Sequence, residues 1–122
     1  MDHAELQRHC LAKPGAWLDQ PWEGDHVVKV GAKIFAFLGS SSGSVGVMGG
    51  GVGLKCGHDR DEADEWLRRF PDDARQSPYI GRFGWNVLTL GGAIPDEEIR
   101  EAVDASYDQV VAKLPKAQRP AG

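Results

Sequence analysis

The run Ser77-Pro78-Tyr79-Ile80-Gly81-Arg82-Phe83-Gly84-Trp85-Asn86-Val87-Leu88-Thr89-Leu90 constrains this chain more than any other stretch. Pro78, Gly81 and Gly84 break its first half into turns, and its second half alternates as a strand does. A single strand cannot bury itself. The other periodic segments must therefore supply a sheet for it to join and helices to cover one face. At 122 residues the chain is long enough for one two-layer core and too short for two.

Those segments follow in order. Asp2 and Glu5 form a capping pattern before Leu6 and Cys10, and Pro14-Gly15 stops that first helix. Residues 17–22 read as an edge strand, because Pro21 is tolerable only where no ladder bond is needed. Residues 26–30 and 33–38 are separated by Gly31-Ala32 alone, which predicts a tight antiparallel hairpin. Residues 39–51 are dominated by glycine and serine and carry no basic residue, so a mobile loop or wing is expected there. Val52, Leu54 and Cys56 then alternate with Lys55, which places Lys55 on a strand. Asp59 or Asp61 caps a second helix with Ala63, Trp66, Leu67 and Phe70 on one face, and Pro71 ends it. A third helix begins at Pro95-Asp96-Glu97-Glu98, whose acids suit the positive end of its dipole. Ile99, Val103, Tyr107, Val110 and Leu114 line its inner side.

The order is helix, three or four strands, helix, one or two strands, helix. Grouped strands with short turns predict a two-layer α+β fold, an antiparallel sheet with helices packed on one face. Residues 1–116 form one domain in this reading, and residues 117–122 form a frayed tail.

Hydrophobic content of 41% and charged content of 26% are those of a globular protein. No run is long enough to span a membrane, and residues 1–13 show no signal-peptide pattern, so a cytoplasmic location is expected. Cys10 and Cys56 lie on apolar faces and are read as reduced core thiols. The net charge is −4, and the acids concentrate in residues 59–73 and 94–108, leaving 74–93 and 109–122 net basic.

The chemistry-bearing motifs fail their context tests. Residues 39–57 match neither phosphate-loop register, and a strand follows where a helix is required. Cys56-Gly57-His58 lacks a second ligand pair for zinc, and residues 59–64 lack the spacing of a calcium loop. Neither a nucleophile elbow nor a triad is recognisable, so no enzyme activity, cofactor or metal is expected. What remains is Lys29 and Lys55, pointing away from the apolar positions of their strands, with Arg82 and Trp85 in the opening stretch. Basic residues among aromatics suit nucleic acid, phosphates taking the charge and bases the rings. Trp17, Trp22, Trp66 and Trp85 equally suit the core or its edge.

The Pro78-Tyr79-Ile80 approach to Trp85, the Lys33-Ile34-Phe35-Ala36 strand, Leu54-Lys55-Cys56 and the ending Ser106-Tyr107, Val110 and Lys113-Leu114-Pro115-Lys116 together resemble the YjbR/MmcQ family of small bacterial proteins. The resemblance spans roughly residues 5–116. It implies a CyaY-like (frataxin-like) fold and a regulatory role in binding double-stranded DNA, by analogy to double-wing transcription factors. Lys29, Lys55, Arg82 and Trp85 are the expected contacts. A protein-interaction module or homodimer, and a metal or small-molecule binder of the frataxin type, are the alternatives.

Overall fold

A computed structural model describes residues 2–22, 25–39, 51–77 and 80–120. The glycine-serine segment 40–50, the Glu23-Gly24 turn and Pro78-Tyr79 lie outside the described residues. The elements are α1 (His3–Leu11), β1 (Ala16–Trp22), β2 (Asp25–Val30), β3 (Lys33–Gly39), β4 (Gly51–Lys55), α2 (Arg60–Arg69), β5 (Ala74–Gln76), β6 (Trp85–Thr89) and α3 (Asp96–Ala112), with 3-10 turns at Gly81–Phe83 and Lys116–Gln118. One sheet takes the strands in the order β1-β2-β3-β4-β6-β5, every neighbouring pair antiparallel. This is the α+β class that the alternation and two-residue turn predict. Strand β5, which periodicity alone did not reveal, adds one short edge.

Local chemistry sets the element ends. Asp2 Oδ1 accepts the Glu5 amide at 2.8 Å to start α1, and Gly15 turns the chain at φ +73°. Asp59, rather than Asp61, caps α2 by accepting the Asp61 and Glu62 amides. Helix α3 has Asp96, Glu97 and Glu98 in its first turn but no base in its last. Arg119 fills that role from outside, donating to the Ala112 and Leu114 carbonyls at 3.1 and 3.0 Å. Residues 117–120, read in sequence as the start of a fraying tail, thus fold back on α3. Gln118 Oε1 also accepts the Ala32 amide at 3.2 Å.

Val28, Val30, Ala36, Leu38, Val52, Leu54, Leu88 and Ala74 form the buried helix-side surface of the sheet, against Leu6, Cys10, Ile99, Val103, Tyr107 and Val110. Burying each large aliphatic side chain contributes about 1.5–3 kcal/mol. A bulge interrupts the β2–β3 register between Val28↔Ala36 and Lys29↔Ile34. The extra residue, Phe35, is fully buried, its ring edge-on to Tyr107 at 5.2 Å.

The far side of the sheet departs from expectation. Val27, Phe37, Gly53 and Val87 form one cross-strand row there, and Val27 and Val87 are as buried as the helix-side core. The exposed basic platform expected on this face is thus largely an apolar surface in its middle.

Candidate functional site: a lysine-lined concavity

The next row on that far face holds Trp17, Lys29 and Ile34 on β1, β2 and β3, and Lys55 and Trp85 on β4 and β6. Between Ile34 and Lys55 the row is split. The β3–β4 ladder pairs only Ala36↔Leu54 and Phe37↔Gly53, and past that point Ser106 of α3 enters the gap. Its hydroxyl donates to the Phe35 carbonyl at 2.7 Å and accepts the Lys55 amide at 3.0 Å, satisfying two groups that a regular ladder would have paired. A concavity of about 360 Å³ opens where the row is split. Lys29, Lys33, Ile34, Lys55 and Trp85 line it from the sheet, and Val110 and Lys113 from the C-terminal end of α3. No carboxylate is among the described lining residues.

The four ammonium groups are not equivalent. Lys29 is paired with Asp19 at 2.7 Å and lies over the Trp17 ring at 5.2 Å, and that hydrogen bond, with a second from the Gln20 amide, lowers the Asp19 carboxyl below its usual range. Lys55 is only 5% exposed. Its Nζ donates to the Phe83 carbonyl at 2.7 Å, and burial first, then the charge of Lys113, lowers its pKa against the opposing pull of Glu62. Lys33 and Lys113 are exposed and have no ion-pair partner among the described residues.

Of the four residues singled out in sequence, the structure brings Lys29, Lys55 and Trp85 together at this concavity. Lys55 was expected to reach outward from an exposed face. Its stem is instead buried and its ammonium tied to a backbone carbonyl, because the adjoining turn supplies an acceptor inside the molecule. Arg82 lies outside the lining; it is exposed, with its guanidinium 4.8 Å over the Phe83 ring. Trp85 is half-buried, edge-on to Phe37 at 5.5 Å, and so serves as strand core and concavity wall at once. Sequence reading passed over Lys33 and Lys113 as site residues, and the net-basic segment 109–122 was the one signal pointing to the second.

Behind this row, Arg60 holds the turn that feeds β6. Its Nη1 donates to the carbonyls of Gly81 and Trp85 at 2.8 and 3.1 Å and to Asn86 Oδ1 at 3.0 Å, while its Nε donates to Asp64 at 3.0 Å. Asn86 Nδ2 donates to the Ala63 carbonyl at 2.8 Å, tying β6 to α2. Arg60 is thus an internal clamp between α2 and the turn before β6. Among the described residues no three His, Cys, Asp or Glu side chains converge to hold a metal, and no helix is long and apolar enough to cross a membrane.

A six-stranded antiparallel sheet, three helices and a basic concavity at one sheet end define a small α+β domain. The YjbR family model matches residues 11–109, and the chain belongs to that family. The Escherichia coli (strain K12) protein YjbR is 33% identical over 121 residues, covering 98% of this chain and 95% of the relative. YjbR from Escherichia coli O157:H7 matches to the same extent. The crystal structure of Deinococcus radiodurans protein DR2400, of domain family DUF419, superposes with a TM-score of 0.77 at 23% identity, covering 95% of this chain and 83% of that one. A Pseudomonas syringae protein superposes at 0.61 and 17% identity, covering 89% and 98%. Both share the fold.

Proposed function

We propose that this chain is a binding module rather than an enzyme, and that it takes DNA phosphates at the lysine-lined concavity. The observation that carries the reading is the convergence of Lys29, Lys33, Lys55 and Lys113 on one recess with no acid among its described lining residues, in a chain of net charge −4. Most of the acids lie in residues 59–73 and 94–108, and Asp19, beside the recess, is taken up by Lys29. Local cation density of this kind attracts phosphate through counterion release even where the whole molecule is acidic. Trp85 and Ile34 supply apolar wall against which a sugar or base can lie.

A fluorescent duplex titrated at low and moderate salt tests the proposal. With Lys29 already paired to Asp19, about three phosphates are neutralised, so log K should fall with log salt at a slope of about −2 to −3. Lys33→Glu and Lys113→Glu should each weaken binding several-fold with the melting temperature unchanged. Absence of binding at low salt, or indifference to both substitutions, removes the DNA reading.

A second reading has its own observation. Strand β1 is a sheet edge and leaves Trp17 43% and Leu18 39% exposed, a surface suited to strand pairing with a second copy. Light scattering over a concentration series would show the dimer, and a monomer at every concentration excludes it.

A further inference from the structure

We infer that the concavity is a discrete site for a phosphate monoester carried on a nucleoside, either a free mononucleotide or the 5′-phosphate end of a strand. The inference rests on the same recess as the DNA reading and narrows its ligand.

Three features argue for a monoester over the diesters of a continuous backbone. The cations are gathered at one point. A duplex track needs basic residues spaced along a surface, whereas here the adjoining far-face row is apolar, with Val27 and Val87 buried. The accounting of charge also fits. Asp19 neutralises Lys29 and the Phe83 carbonyl holds Lys55, which leaves Lys33 and Lys113 as two cations without an acidic partner among the described residues, matched to a group of charge near −2 with three strong acceptor oxygens. Finally, a volume of about 360 Å³ lies at the small end of the range for small-molecule sites, with Trp85 and Ile34 as the apolar wall. Lys55 reinforces the match. Its burial and the nearby Lys113 charge disfavour its ammonium form, and the attraction of a bound dianion would offset both.

Titration calorimetry of the full chain with 5′-AMP, adenosine and inorganic phosphate tests the site, and labelled strands bearing a 5′-phosphate or a 5′-hydroxyl distinguish its two sources. AMP should bind at least about tenfold tighter than adenosine, as charge-assisted contacts require. A 5′-phosphate that tightens strand binding by a similar factor assigns the strand end as the source; equal binding of the two strands assigns the free nucleotide. Lys33→Gln combined with Lys113→Gln should abolish the preference for AMP, while Lys116→Gln, which removes the same kind of charge outside the recess, should leave it intact. AMP binding no tighter than adenosine, or an equal loss with Lys116→Gln, overturns the inference. Duplex binding without any response to AMP leaves the DNA reading standing and removes this one. AMP binding without duplex binding does the reverse.

Discussion

The Ser106 hydroxyl accepts the Lys55 backbone amide at 3.0 Å and donates to the Phe35 carbonyl at 2.7 Å, so a helix side chain completes the hydrogen bonding of two strands that have parted. Ser106 is fully buried. Ser106→Ala would strand a buried donor and a buried acceptor, each costing about 1–3 kcal/mol. Urea unfolding should show a loss of roughly 2–6 kcal/mol. A loss below about 0.5 kcal/mol would mean that the gap closes by itself.

Arg60 makes a fork that lysine cannot reproduce. One terminal nitrogen reaches two carbonyls and the Asn86 amide oxygen while Nε and Nη2 hold Asp64. Arg60→Lys should therefore destabilise by about 1.5–3 kcal/mol, the range for hydrogen bonds to a charged group. Asp64→Asn should cost less, since the carboxylate is partly exposed. Thermal melts of both variants check the order, and equal losses would contradict it.

The turn before β6 tolerates no side chain at residue 84. Gly84 has φ +93°, and a Cβ there would stand 2.1 Å from the Gly57 carbonyl oxygen, a backbone atom that cannot step aside. The same segment binds the Cys56 amide through the Gly84 carbonyl at 2.7 Å. Gly84→Ala should cost at least about 2–3 kcal/mol from the clash and the left-handed backbone together. Gly91 is a matched control, because its φ is +74° but nothing lies near its Cβ position. Gly91→Ala should show the backbone cost alone, about 1 kcal/mol.

Alkaline pH should destabilise this protein. Burial raises the thiols of Cys10 and Cys56 from 9.0 to about 12, Asn86 hydrogen bonds opposing the shift at Cys56; burial raises Tyr107 too. Above pH 9 the unfolded chain releases protons that the folded chain keeps, so stability is lost as the pH rises from about 9 toward 12. Lys55 acts oppositely: its lowered pKa means the unfolded chain binds more protons just below the usual lysine value. Two thiols and a tyrosine outweigh one amine, and the net change should be a decline of several kcal/mol. Urea midpoints at pH 7, 9 and 10.5 measure it. At pH 8 both thiols should resist a disulfide reagent until urea is added, and fast labelling of Cys10 in the native chain would contradict its burial.

Periodicity settled much of this molecule in advance. The alternation of Val28 and Val30, of Val52 and Leu54, and of Val87 and Thr89 can satisfy only a sheet. The two residues Gly31-Ala32 can close only a tight hairpin, and the spacing of Ile99, Val103, Tyr107 and Val110 can satisfy only a helix laid on that sheet. These are local, one-dimensional facts, and the chain states them openly. Lys55 shows where that reading ended. Alternation correctly put it opposite Leu54, but whether its ammonium met water depended on the Phe83 carbonyl 28 residues later. The concavity is likewise a product of assembly: the Phe35 bulge, the parted β3 and β4, the Ser106 insertion and the C-terminal end of α3 meet only after folding. Local pattern thus determined the layers and their order, because side-chain direction repeats with backbone geometry. Tertiary structure alone decided which charges share a recess, because that depends on distances between residues far apart in the chain.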